Sequence, residues 1–167
     1  KEELKGKYLE TSRQNFLSTL DISTYSFTRI SKSASKIMSN GGSLLTLTYV
    51  GSNKTTPNYN VMGVAKAALE TSVKYLSVDL GKNNIRVNAI SAGPMKTIAG
   101  AAISGARHVY RYSEKIAPLQ KNPDLEQVGN AALYLLSDIS SGVTGLTHYV
   151  DGGLKVVGIP DQDMVDI

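Results

Sequence analysis

The feature that most restricts how this chain can fold is an alternation of short apolar runs, of strand length, with longer helix-length segments. Glycine, proline or asparagine punctuates the junctions. Residues 11–38 read as a long helix, with Phe16, Leu20, Tyr25, Phe27 and Ile30 at near-helical spacing and Asn40-Gly41-Gly42 as its expected C-cap. Residues 43–48 are apolar and β-branched, as a short buried strand requires, and residues 51–57 form a polar loop. A second helix runs to about Leu80, with Leu69, Val73, Leu76 and Leu80 as its apolar stripe and Gly81 as its end. Residues 85–90 form the next strand, closed by the turn Ser91-Ala92-Gly93-Pro94. Small residues dominate 97–106, and a tract with arginines, a histidine and tyrosines occupies 107–115. A helix follows over 124–137, with Asp124 as N-cap and Glu126 or Gln127 in its first turn. Residues 147–150 make a last strand that turns at Asp151-Gly152-Gly153. This order predicts an α/β domain, a parallel sheet with helices on both faces. No repeat or linker divides residues 1–167, so a single domain is expected.

Composition narrows the function. No apolar run approaches the roughly 20 residues of a membrane span, and no signal-peptide pattern opens the chain. The chain has no cysteine, which excludes a thiolate nucleophile and a cysteine-bound metal, and fits a reducing compartment. The two histidines stand 40 positions apart without a ligand pattern, so no metal site is expected. A net charge of +4 is spread along the chain rather than clustered with aromatics, which argues against nucleic acid and leaves an anionic ligand or partner open.

In open parallel sheets ligands bind beyond the carboxyl ends of the strands. Thr48-Tyr49 and residues 93–97 occupy such ends, and the helix beginning near Pro57 runs between them. That helix carries Tyr59 and, seven positions on, Lys66. Two turns at about 1.5 Å per residue would put both on one face, roughly 10 Å apart. Pro57 and the neighbouring asparagines place Tyr59 at or just before the first turn, where the helix terminus and the Lys66 ammonium would favour a phenolate. A phenol so placed can donate to a developing oxyanion, which suggests carbonyl or enolate chemistry beside a cofactor.

These residues resemble the NADH-dependent enoyl-acyl-carrier-protein reductases, a divergent branch of the short-chain dehydrogenase/reductase superfamily. The resemblance covers essentially the whole chain. It is carried by Leu45-Thr46-Leu47-Thr48-Tyr49, by Pro57-Asn58-Tyr59-Asn60-Val61-Met62-Gly63-Val64-Ala65-Lys66, by Arg86-Val87-Asn88-Ala89-Ile90-Ser91-Ala92-Gly93-Pro94, and by Val150-Asp151-Gly152-Gly153. Most short-chain dehydrogenases space tyrosine and lysine four apart; Met62 occupies the nearer position here. The family opens with a Rossmann half whose glycine-rich loop holds the pyrophosphate. Gly41-Gly42 and Gly152-Gly153 are not such a loop. At about 30 residues per βαβ unit, roughly 100 residues are expected upstream. The chain therefore reads as the carboxyl-terminal part of a longer Rossmann-like, doubly wound reductase, its front either cleaved or not included. By itself it is not expected to bind NADH tightly.

The resemblance implies reduction of trans-2-enoyl thioesters by NADH in type II fatty-acid biosynthesis. Tyr59 would hydrogen-bond the thioester oxygen, and Lys66 would hold the nicotinamide ribose. Tyr49 would join in the chemistry, line the acyl pocket, or simply pack in the core. Thr48, Gly93, Met95, Lys96, Thr97, Ile98 and Ala99 would contact the cofactor. Met62, Ala99 and Ile103 would face the acyl chain, the latter two from a loop that closes over substrate. Arg107, His108 and Arg111 would meet the acidic acyl carrier protein, or be a solvated face. A homotetramer is implied, with Leu133, Leu136 and Tyr149 as candidate contacts. The expected location is a bacterial cytoplasm or, alternatively, an organelle of bacterial ancestry. Two other readings stay open: a short-chain reductase with another carbonyl or enoyl substrate, and a truncated non-catalytic paralogue that assembles with full-length subunits.

Overall fold

The computed structural model describes Leu4, residues 6–101 and residues 104–164. Three strands, β1 (Gly42–Thr48), β2 (Ile85–Ala92) and β3 (Thr147–Val150), form a parallel sheet in the order β1-β2-β3. Gly42 lies opposite Ile85 and Thr48 opposite Ser91, while Ala89 to Ala92 of β2 face Thr147 to Val150. The central strand is paired on both sides and covered on both faces, so every residue of β2 except Arg86 is buried. Its apolar residues are interrupted by Arg86, Asn88 and Ser91.

Alternation along β2 assigns the two faces. Val87 and Ala89 pack with Val73 of α3 (Val61–Gly81), flanked by Phe27, Leu44, Leu76 and Leu80. Ile90 and Ala92 pack on the other face with Val128 and Leu135 of α6 (Leu125–Leu136). The expected stripe of α3 is thus the one that covers the sheet. Burying side chains such as Leu69 and Val73 fully contributes roughly 1.5–3 kcal/mol each. Helix α6 starts as expected: the Asp124 carboxylate accepts from the Gln127 backbone N–H at 2.8 Å, and Gln127 Oε1 accepts from the Asp124 N–H at 3.1 Å.

The Arg86-Val87-Asn88 motif fastens β2 to the end of α6 and to the segment that leads into β3. The Arg86 guanidinium donates to the carbonyls of Leu135 (2.9 Å), Ser137 (3.0 Å) and Val143 (3.3 Å) and to Ser140 Oγ (2.8 Å). Asn88 donates to the Val143 carbonyl and accepts from the Leu146 N–H.

Three expectations need correction. The long first helix is interrupted: α1 (Arg13–Leu20) passes through a π-helical stretch at Asp21–Tyr25 into α2 (Ser26–Ser35). An extra residue in a turn rotates everything beyond it by about 100°. Tyr25 and Ile30 are accordingly 57% and 62% exposed, and the Thr24 hydroxyl donates to the Ala65 carbonyl of α3. Helix α2 also stops at Ser35, so Gly41 and Gly42 turn the chain into β1 rather than cap the helix. Finally, residues 97–106 contain a short helix, α4 (Ile98–Ala101), and the arginine-rich tract forms a helix of its own, α5 (Ala106–Ile116), starting from Gly105 at φ 80°.

Candidate active site

The carboxyl ends of β1 and β2 lie on one side of the sheet, and α3 descends between them. Just before that helix, Asn58 and Asn60 both hold positive φ, 58° and 40°, on either side of Tyr59, Asn60 with ψ −120°. Asparagine tolerates positive φ better than most residues. Tyr59 therefore stands in the turn before α3, within the range expected for it, and its ring is 7% exposed. It meets Tyr49 edge to face, ring centres 5.0 Å apart. Gly51 makes this possible: a Cβ there would fall 2.5 Å from the Tyr59 ring and 3.2 Å from that of Tyr49. Gly63 allows the same close approach a layer down, where a Cβ would come within 2.7 Å of the Gly51 carbonyl.

Electrostatics correct the phenolate expectation. Burial pushes the Tyr59 hydroxyl well above the ordinary phenol range, and neighbouring Tyr49 pushes it further. Tyr49 is also raised by burial, against a hydrogen bond with Thr56 that lowers it. Both are neutral phenols, able to donate rather than to act as bases. Lys66 is held below the usual lysine range by burial, with Glu70 pulling it back up. Its ammonium donates to the Leu47 carbonyl at 2.9 Å. Glu70, one turn further along α3, accepts from the Thr48 hydroxyl (2.7 Å), the Ser52 hydroxyl and Asn53 Nδ2 (3.3 Å). Gly51, Thr56, Gly63 and Glu70 thus shape the site although no sequence pattern assigns any of them a role, and Asn58 and Asn60, read from sequence only as helix-start residues, shape it as well. Their neighbours are set by tertiary structure.

The other predicted residues are distributed as follows. Thr48 is buried with its hydroxyl given to Glu70. Met62, on the face of α3 that also carries Lys66 and Glu70, accepts a hydrogen bond on Sδ from Ser23 of the π-helical stretch. Gly93 is packed where a Cβ would lie 2.8 Å from Pro123 and 3.0 Å from Asp151, and its N–H donates to the Val150 carbonyl. Met95 turns into the core beside α6. Lys96 lies over the Tyr110 ring, 5.0 Å from its centre. Thr97 Oγ1 accepts from the Gly100 N–H and so caps α4, on which Ile98 is exposed. Ala99 belongs to α4; its side chain, like Ile103, lies outside the described residues. Arg107, His108 and Arg111 are exposed on α5. Tyr149 is engaged within the chain, with the Lys155 ammonium 3.6 Å above its ring.

Tyr49 also lines a cavity of about 460 Å³ with Val109, Tyr112, Ile116 and Leu154. A larger cavity, about 640 Å³, lies by Tyr149, Lys121 and Lys155, and neither Tyr59 nor Lys66 lines it. Neither residue lines the smaller cavity either; it adjoins Tyr59 through Tyr49, whose ring packs on that of Tyr59. A nucleotide cofactor fits the donor set at Lys66. An ammonium has three protons and the Leu47 carbonyl takes one, so two remain for a diol.

Comparison with known proteins accords with this geometry. A sequence model of the enoyl-(acyl carrier protein) reductase family matches residues 1–155. An NADH-dependent enoyl-[acyl-carrier-protein] reductase of Rhizobium meliloti is 58% identical over all 167 residues, which span 61% of its length. One from Rickettsia prowazekii is 58% identical over 158 residues, 95% of this chain and 60% of its own. The crystal structure of the Anaplasma phagocytophilum reductase in complex with NAD superposes with a TM-score of 0.92 at 56% identity, covering 96% of this chain and 62% of that one. The chain thus spans about three-fifths of the length of the relatives it matches.

Proposed function

Because this chain belongs to the enoyl-(acyl carrier protein) reductase family, we propose that the full-length protein uses NADH to reduce trans-2-enoyl thioesters borne on acyl carrier protein, in type II fatty-acid biosynthesis. The observation that carries the reading is the buried, neutral Tyr59 phenol packed edge-on against Tyr49, in the turn that leads into the helix bearing Lys66. Bound NADH would supply a hydride to the β carbon of the substrate. Tyr59 would donate its hydroxyl hydrogen bond to the thioester oxygen, where negative charge builds as the enolate forms. That bond tightens in the transition state, so it lowers the barrier rather than merely binding substrate. Solvent water would then give the enolate its proton at the α carbon, which leaves the saturated thioester, NAD and hydroxide that the buffer neutralises. Lys66 would direct its two remaining protons at the nicotinamide ribose hydroxyls, and its charge favours Tyr59 as a donor to an anion. Residues 93–99 would border the same cofactor, Met62 the acyl chain.

Assembly as a homotetramer and a cytoplasmic location belong to the same proposal. Leu133 and Leu136, 67% and 49% exposed on α6, offer apolar surface for assembly. The bacterial relatives support the location, and among the described residues no helix is long and apolar enough to cross a membrane. The reading is tested by following NADH absorbance with a crotonyl thioester and, separately, with a simple ketone. Consumption with the thioester alone is expected. Consumption with the ketone alone would replace the proposal by another short-chain reductase, and none with either would remove it.

A further inference from the structure

Asn58 holds left-handed backbone, φ 58°, which glycine would adopt more easily. The turn alone therefore does not account for an asparagine. Its amide does something glycine cannot: Nδ2 donates to the Ser104 carbonyl, 46 positions away, at 2.9 Å. The adjoining Gly105, φ 80°, comes so near that a Cβ there would stand 3.3 Å from the same Nδ2. The Gly105 carbonyl in turn accepts from the N–H groups of His108 and Val109 (2.9 and 3.1 Å), the first turn of α5. A continuous path thus runs from the Tyr59 turn, through one side-chain amide, into the start of α5. Asn60, on the other side of Tyr59, reaches the opposite way, donating to the carbonyls of Leu4 (2.9 Å) and Gly6 (3.0 Å).

We infer that Asn58 is a positioning residue, whose amide clamps the start of α5 to the turn that carries Tyr59. It would thereby fix where α5 stands across the cavity lined by Tyr49, Val109 and Tyr112, next to the Tyr59 ring. The inference rests on the reductase reading only for its kinetic consequence. The amide and the backbone roles are separable, because glycine and aspartate both tolerate positive φ and neither can donate to Ser104.

The test compares the natural full-length polypeptide with its Asn58→Gly, Asn58→Asp and Asn60→Gly variants by amide hydrogen exchange and by steady-state kinetics with a crotonyl thioester. Loss of one hydrogen bond predicts exchange about three- to tenfold faster at the His108 and Val109 amides in both Asn58 variants. Asn60→Gly should leave those two amides at the wild-type rate. KM should rise by a factor similar to the gain in exchange, with kcat within about twofold. Unchanged exchange in the Asn58 variants would overturn the clamp, and so would equal acceleration by Asn60→Gly. Faster exchange with unchanged KM, or a fall confined to kcat, would overturn the positioning role. If the wild-type protein does not oxidise NADH at all, the reductase reading fails, and the exchange comparison alone decides the clamp.

Discussion

Burial and the neighbouring Tyr49 ring raise the Tyr59 phenol, so the residue stays neutral. In the proposed reaction it would act as a hydrogen-bond donor to charge that develops on the substrate. The sequence pattern pointed to Tyr59 and Lys66 through an assumed helical spacing, whereas Tyr59 stands in the turn before α3. It could not reveal Gly51 or Glu70, whose importance depends on which side chains the fold brings against them. The phenolate expectation failed for the same reason: spacing shows a nearby ammonium but not the depth of burial. Lys66 yields a prediction at this scale. It is needed protonated, and burial depresses its pKa below that of a free lysine, so NADH affinity should fall as pH rises through that lowered value. Glu70 opposes the depression. In Glu70→Gln the alkaline limb of the kcat/KM profile for NADH should therefore move to lower pH. An unmoved limb, or one moved upward, would separate Glu70 from Lys66.

Among the elements, those built on large apolar residues were readable and those built on small or polar ones were not. Strand β2 and helix α3 announce themselves through Val87, Ile90, Leu69 and Val73, all buried. Helix α5 does not, because its fully covered positions are Ser113 and Ile116, and Ser113 is held by bonds to the Tyr110 carbonyl and Asn122 rather than by packing. The π-helical stretch is likewise silent in the sequence, since the apolar spacing on either side remains nearly helical. Two predictions belong to elements. Arg86→Ala removes a guanidinium that four acceptors between α6 and β3 share, and should destabilise the fold by about 2–4 kcal/mol in denaturant unfolding. A loss under about 0.5 kcal/mol would show that water replaces it. On α5, charge reversal at Arg107 and Arg111 should raise KM for a substrate on the acidic carrier protein and leave KM for the CoA thioester unchanged. Equal effects on both would return these residues to the role of a solvated face.

Over the whole molecule, a parallel three-stranded sheet covered on both faces directs the search for chemistry to the carboxyl ends of its strands. The order of segments was enough to foresee a parallel sheet, while helix α4 was not, because a short helix of small residues carries little periodic signal. The central claim is that the Tyr59 hydroxyl stabilises the enolate oxygen. It is tested most directly by comparing wild type and Tyr59→Phe in the full-length protein, measuring kcat with a crotonyl thioester and, separately, the Kd for NADH. The account predicts a fall of about 10²–10³ in kcat with NADH affinity within about twofold, as for loss of one oxyanion donor. A kcat within a few-fold of wild type would contradict it and assign the donor role to another group, with Tyr49 the nearest phenol.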